Sequence, residues 1–260
     1  MFRSLKRRFY SICLLIIILV FFWDRKKIYS SQKTSTHSSN PVLNAIVVPF
    51  TSWESERILL NFEYWNAYPP CESSYIQLDL IFYFHKDFTR GSGHLIKMFR
   101  EGIRKNENVT RCFNDVKFLN ADLYDSEDRY PESASRMFFK LFKLRLMTEY
   151  NSFFYMEADV LPCKSGWIDS LLKEFSIHGK FWMRGSIIRG SDKHTGNSLF
   201  APHINGNALY AIGDPEFRSF ITDVIEPNFW KNPDSYLGGY DVALYMIRLD
   251  RSIVSWDFFT

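Results

Sequence analysis

The 260-residue chain is short of several things, and each shortage closes off a class of function. With 32 Lys and Arg against 29 Asp and Glu, its net charge is only +3, too little excess for a nucleic-acid binder. It has four cysteines, none at zinc-knuckle spacing, which argues against a structural zinc site. A Gly-x-Ser-x-Gly elbow is absent after any predicted strand, so the sequence lacks the mark of a serine hydrolase. The first strand leads into Thr51-Ser52-Trp53-Glu54 rather than a Gly-rich basic loop, which ranks a nucleotidyltransferase low. No internal repeat is evident. Only one apolar run is long, and it falls short of the roughly 20 residues that span a bilayer comfortably.

That run, residues 9–23, lies between Arg3, Lys6, Arg7 and Arg8 and the sequence Asp24-Arg25-Lys26-Lys27. Snorkelling basic side chains at both ends extend its reach. A cleaved secretory signal has a similar start but ends in small residues, whereas this run ends in Phe21-Phe22-Trp23. The expected organisation is a cytoplasmic tail at 1–8, a signal anchor at 9–23 in the lipid bilayer and a flexible polar stem at 24–41. One globular domain then occupies 42–260. The first 27 residues carry seven basic and one acidic side chain, so the remainder is slightly acidic at −3. The basic balance belongs to the anchor.

What is abundant is aromatic: 25 Phe, 14 Tyr and 7 Trp, enough to line a large core. Buried strands are predicted at 44–50, 78–85, 116–119 and 153–156, with a later one at 208–212. Amphipathic helices are predicted at 54–68, 95–104 and 134–150, with others opening at Gly166-Trp167 and spanning 242–247. Such alternation implies a mostly parallel α/β sheet with helices on both faces and ligands outside the carboxyl ends of its strands. Cys71 and Cys112, each just before a predicted strand, are the expected disulfide. Asn108-Val109-Thr110 is the single N-glycosylation sequon.

The strand Phe153-Phe154-Tyr155-Met156 runs into Glu157-Ala158-Asp159. Two carboxylates two residues apart would project to one face if the strand continued. They would suit Mg²⁺ or Mn²⁺, or else cap the strand and its loop. The stretch from Phe154 to Pro162, followed by Gly166-Trp167, resembles the Asp-x-Asp region of GT-A glycosyltransferases, with Glu in place of the first Asp. The resemblance implies a Rossmann-like GT-A domain binding a nucleotide-diphosphate sugar. Asp159 would be the metal ligand and Glu157 a second ligand or a ribose contact, with Pro49 and Thr51 on the nucleotide side.

It also gives meaning to three later segments. Arg184 opens a polar loop reaching Ala201, expected at the acceptor or as plain surface, with His203 beyond it on the acceptor side. Asn205-Gly206-Asn207 is either a tight turn or a sugar contact. Asp241, in Gly238-Gly239-Tyr240-Asp241, is a helix cap, a catalytic base, or both. The implied protein is a single-pass type II glycosyltransferase of the Golgi or ER membrane, acting on a glycan or glycoprotein and needing no nucleic acid. The last histidine is His203, although many GT-A enzymes use a later one as a metal ligand. That absence keeps open a catalytically silent, glycosyltransferase-like lumenal binding protein.

Overall fold

The computed structural model describes residues 42–72, 78–177, 179–187, 203–250 and 259. The expected anchor and stem lie outside these residues, as do most of the polar loop after Arg184 and all but one of the last ten positions. Among the described residues, no helix is long and apolar enough to cross a membrane.

Six strands form one sheet: β1 (Leu43–Phe50), β2 (Asp79–Phe84), β3 (Asp115–Asn120), β4 (Ser152–Tyr155), β5 (Met183–Ile187) and β6 (Ile204–Tyr210). Their order is β3-β2-β1-β4-β6-β5. The first four are parallel, while β6 runs antiparallel to both β4 and β5. Near-continuous apolar sequence explains the central position of β1 and β2, since helices cover both of their faces. Pro49 is tolerated in β1 because the ladder to β4 has already ended at Val47, so its missing N–H costs no pairing there.

The helices are α1 (Ser55–Ala67), α2 (Gly93–Arg104), α3 (Glu107–Thr110), α4 (Glu132–Lys143), α5 (Trp167–Ile177), α6 (Pro215–Ser219), α7 (Glu226–Lys231) and α8 (Tyr240–Asp250). Adjacent residues of β2 show how the sheet is buried twice. Phe82 meets Phe62 of α1 and Phe99 of α2. Tyr83, on the opposite face, donates its hydroxyl to the carbonyl of Met137 in α4 at 3.0 Å. Beyond it Phe138 and Phe142 of α4 pack on Tyr155, Phe153 and Tyr210. Burying a Phe is worth about 1.5–3 kcal/mol, so this aromatic packing carries much of the stability.

Two sequence expectations need correction. The helix predicted over 134–150 ends at Lys143, where Leu144 turns to extended geometry before a 3₁₀ segment, Arg145–Glu149. Its apolar spacing persists past the break, which hid the end. The last strand begins at Ile204 rather than at Ala208, because Asn205, Gly206 and Asn207 belong to it. Cys71 and Cys112 form a disulfide that ties the end of α1 to the turn before β3.

Candidate active site at the carboxyl edge of the sheet

β4 stops at Tyr155, and the chain turns at Ala158-Asp159, with the Val160 N–H donating to the Glu157 carbonyl at 3.0 Å. The two carboxylates therefore stand on a turn rather than on a continuing strand, Glu157 half-buried and Asp159 exposed. Two amide side chains hold this turn. Asn61, buried on α1, donates to the Ala158 carbonyl at 2.8 Å. Asn207 on β6 accepts the Glu157 N–H and donates to the Glu157 carboxylate, both at 2.7 Å. Asn205 fixes Asn207 in turn, its side-chain oxygen accepting from the Asn207 backbone and amide at 2.9 and 2.8 Å.

Gly206, between them, is neither a hairpin turn nor open space. A Cβ there would run into the hydroxyl of Tyr240, whose ring stacks on Phe138 at 3.9 Å. The Gly206 carbonyl accepts the Tyr210 hydroxyl at 2.9 Å. This close approach delivers the start of α8 to the carboxylates. Asp241, in the first turn of α8, accepts the Val242 N–H at 2.9 Å, and its other oxygen lies 3.4 Å from Nε2 of the buried His203.

The site is strongly negative. Burial pushes the Glu157 carboxyl above the usual range, against the lowering by its Asn207 hydrogen bond. The charges of Asp159, Asp241 and Glu54 push it further up. Glu54 is held by Thr51, whose N–H and hydroxyl both donate to its carboxylate at 2.8 Å. Thr51, expected on the nucleotide side, thus spends its two donors on Glu54. Arg184, expected at the acceptor, donates instead to the Glu174 carbonyl at 2.8 Å and lies over the Phe181 ring. Pro49 is buried within β1. The structure thus brings Glu157, Asp159, Asn205, Gly206, Asn207, His203 and Asp241 together, but leaves Arg184 outside the group. Asn108 is apart as well, on α3, its amide donating to Asn66.

No protein family and no curated protein matches the chain by sequence. In three dimensions it is similar to the glycosyltransferase GlyE of Streptococcus pneumoniae TIGR4, with a TM-score of 0.51 at 10% identity over 84% of this chain. The fold is of the GT-A type. The chain spans 45% of the length of GlyE. Weaker likenesses include mouse xyloside xylosyltransferase 1, with TM-score 0.45 and 14% identity over 85% of each chain. Another is the mannosyltransferase Ktr4p of S. cerevisiae in complex with GDP, with TM-score 0.43 and 11% identity over 86% of this chain and 74% of that one.

In a GT-A-type sheet the turn after β4 is an accessible edge, and its donor set can be tested for a cation. Among the described residues, no three His, Cys, Asp or Glu side chains form a cluster able to hold a metal. One exposed and one half-buried carboxylate nevertheless fit a hard divalent ion that keeps most positions for phosphate and water, the usual habit of Mg²⁺. Burial is the main reason the Glu157 carboxyl is pushed up, and the charges of Asp159, Asp241 and Glu54 add to it, a smaller contribution that a bound cation would relieve. Sequence reasoning missed Asn61 and Glu54. Asn61 was visible as an amide within Leu59-Leu60-Asn61-Phe62 on an otherwise apolar helix face, since a buried polar side chain has a partner to find. Glu54 carried no such signal, because its relation to Glu157 exists only across the sheet.

Proposed function

We propose that the protein is a glycosyltransferase that takes a sugar from a nucleotide-diphosphate donor and passes it to a hydroxyl of a glycan or glycoprotein. The observation carrying this reading is the Glu157–Asn207 lock. It sets the Glu157 carboxylate, on the turn that also carries Asp159, at the carboxyl edge of a GT-A-type sheet within reach of the charge of Asp241 on α8.

Asp159 and Glu157 would hold Mn²⁺ or Mg²⁺, which when bound offsets the charge of the diphosphate leaving group. Asn207 keeps the Glu157 carboxylate oriented before any ligand arrives, which limits the reorganisation that binding requires. Asn205 and Asn207 line the place where donor-sugar hydroxyls would sit. Asp241, steadied by its own helix and by His203, accepts the acceptor hydroxyl proton or contacts the donor sugar.

The place of action we propose is the lumen of the Golgi or ER, with residues 9–23 as a type II anchor. Two things support it: the apolar run with basic flanks, and the Cys71–Cys112 disulfide, which persists in oxidising compartments.

The test is a thermal-shift series with UDP-, GDP- and CMP-linked sugars, with and without Mn²⁺. The expected result is stabilisation by one nucleotide class that needs Mn²⁺ and disappears in Asp159→Ala. A hundredfold excess of donor over Kd corresponds to about 2.7 kcal/mol. A flat response to every donor would favour the silent lumenal binding protein instead.

A further inference from the structure

The one N-glycosylation sequon of the chain is taken up into the fold. Asn108, Val109 and Thr110 occupy α3, which leads into β3 at the amino edge of the sheet, away from the acidic turn. Val109, the middle residue, is fully buried. The side-chain nitrogen of Asn108 donates to the Asn66 carbonyl at 3.4 Å and to the Asn66 side-chain oxygen at 3.3 Å. The Thr110 hydroxyl is turned toward the carbonyls of Ile103 and Asn106, at 3.0 and 3.2 Å. Both side chains that define an Asn-x-Thr sequence are thus engaged within the domain.

The segment is tied down on its carboxyl side as well. Cys112, two residues past Thr110, is bonded to Cys71, at a sequence separation of 41. The Cys112 N–H donates to the Val109 carbonyl at 3.0 Å. Arg111, between them, donates to the Cys71 carbonyl at 3.2 Å. Drawing the sequon out as an accessible strand means taking Val109 from the core while the disulfide holds the end of the strand in place. A closed disulfide removes many of the open conformations from which such a strand could be presented.

Resting on the lumenal location proposed above, we infer that Asn108 is an N-glycosylation site that accepts its glycan only before the Cys71–Cys112 bond closes. In that reaction the Asn108 amide nitrogen bonds to the anomeric carbon of a lipid-diphosphate-linked oligosaccharide. The bond from that carbon to the diphosphate oxygen breaks, the lipid diphosphate leaves with the electron pair, and the amide releases one proton. The nitrogen keeps its other hydrogen, enough for one contact with Asn66 once α3 forms. Time sets the outcome. At about 5–20 residues per second, Cys112 is synthesised within about a second of Asn108. Disulfide formation takes seconds or longer, so glycan transfer and closure compete and only part of the chains carry the glycan.

The test translates the full-length chain in the presence of endoplasmic-reticulum microsomes and reads the glycan as a gel shift that peptide N-glycosidase removes. The parent should divide into shifted and unshifted bands, and Asn108→Gln should give the unshifted band alone. Cys71→Ser and Cys112→Ser, which leave the sequon intact, should each raise the shifted fraction about twofold. Dithiothreitol present during translation should do the same to the parent. Parent chains unshifted when synthesis ends should stay unshifted on further incubation with the microsomes. His37→Asn in the Asn108→Gln background completes a second sequon with Ser38 and Ser39 and reports lumenal exposure independently. A shift there without one at Asn108 would overturn the inference and leave the compartment standing, whereas no shift at either would overturn both. A parent shifted in every chain, or a shifted fraction indifferent to the cysteines and to dithiothreitol, would overturn the inference too.

Discussion

Asn207 grips Glu157 at both ends, accepting its backbone N–H and donating to its carboxylate, each at 2.7 Å. The two residues are 50 positions apart and sit on neighbouring antiparallel strands or their extensions. One amide side chain thereby sets both the path of the acidic turn and the direction of its first carboxylate.

The first prediction concerns that amide. Asn207→Asp removes the donor to Glu157 and places a further carboxylate against it. Unfolding in urea should show a loss of about 1–3 kcal/mol at neutral pH, the usual penalty for an unmatched buried polar pair. The deficit should narrow in mild acid, where one of the two facing carboxyls takes up a proton. A variant as stable as the parent would remove the lock from the account of the site.

Glu157 itself should make the fold less stable near neutrality. Its carboxyl binds a proton more tightly in the folded chain than the ordinary value of 4.5, mainly through burial. A raised acid favours the fold at low pH, and that contribution is lost as pH rises from the unfolded value through the raised one. Glu157→Gln keeps an acceptor for the Asn207 amide and deletes the charge. It should melt above the parent at pH 7, with the gap closing below about pH 4.5. A lower melting temperature at pH 7 would contradict this.

Gly206→Ala forces a methyl group into the Tyr240 hydroxyl. The overpacking should cost about 1–3 kcal/mol. In a Tyr240→Phe background the same change should cost less, because the hydroxyl in the way is gone. Denaturant unfolding of the four proteins gives the coupling directly. Strict additivity would mean that the crowding is relieved elsewhere.

At the opposite edge of the sheet, Asp79 accepts from Lys117 and Tyr150, both at 2.7 Å. Burial raises the Asp79 carboxyl, but these bonds, with a further one from Asn114, outweigh it and bring it below 3.8. Burial, helped by Asp79 and opposed by Lys117, pushes the Tyr150 hydroxyl up to about 12. A depressed acid stabilises the fold above its unfolded value, and that contribution is lost as pH falls through the folded one. Asp79→Asn should therefore cost about 1–3 kcal/mol at neutral pH. Its unfolding free energy should also fall less steeply than the parent's below about pH 4. Parallel pH profiles for the two proteins would remove Asp79 from the acid response.

Much of the architecture was legible because burial leaves a periodic trace. Val47, Phe82 and Phe153 lie in apolar runs whose length and flanks marked them as strands, and the helices that cover them showed their spacing. Glu157-Ala158-Asp159 was legible too, since acids directly after such a run are conspicuous. For Asn205-Gly206-Asn207 the tight-turn alternative fails, although Asn-Gly is a local turn signal, because the segment lies within β6. Here a non-local demand prevails, with Gly206 admitting Tyr240 and Asn207 reaching back to the turn after β4.

The sequence by itself determined the strand-helix alternation, the aromatic core and the position of the acidic pair, because each depends on residues close together along the chain. Only the tertiary structure decided which groups the acids meet. Asn61, Glu54, Asn207 and Asp241 converge on them from four different elements, and no local pattern records that convergence. Hydrogen bonds and charges act through space over a few ångströms, so they are set by how the sheet brings its loops together rather than by spacing along the chain. The same holds for Ser52, His85 and Asp128, which lie on three separate loops and meet only in the folded chain.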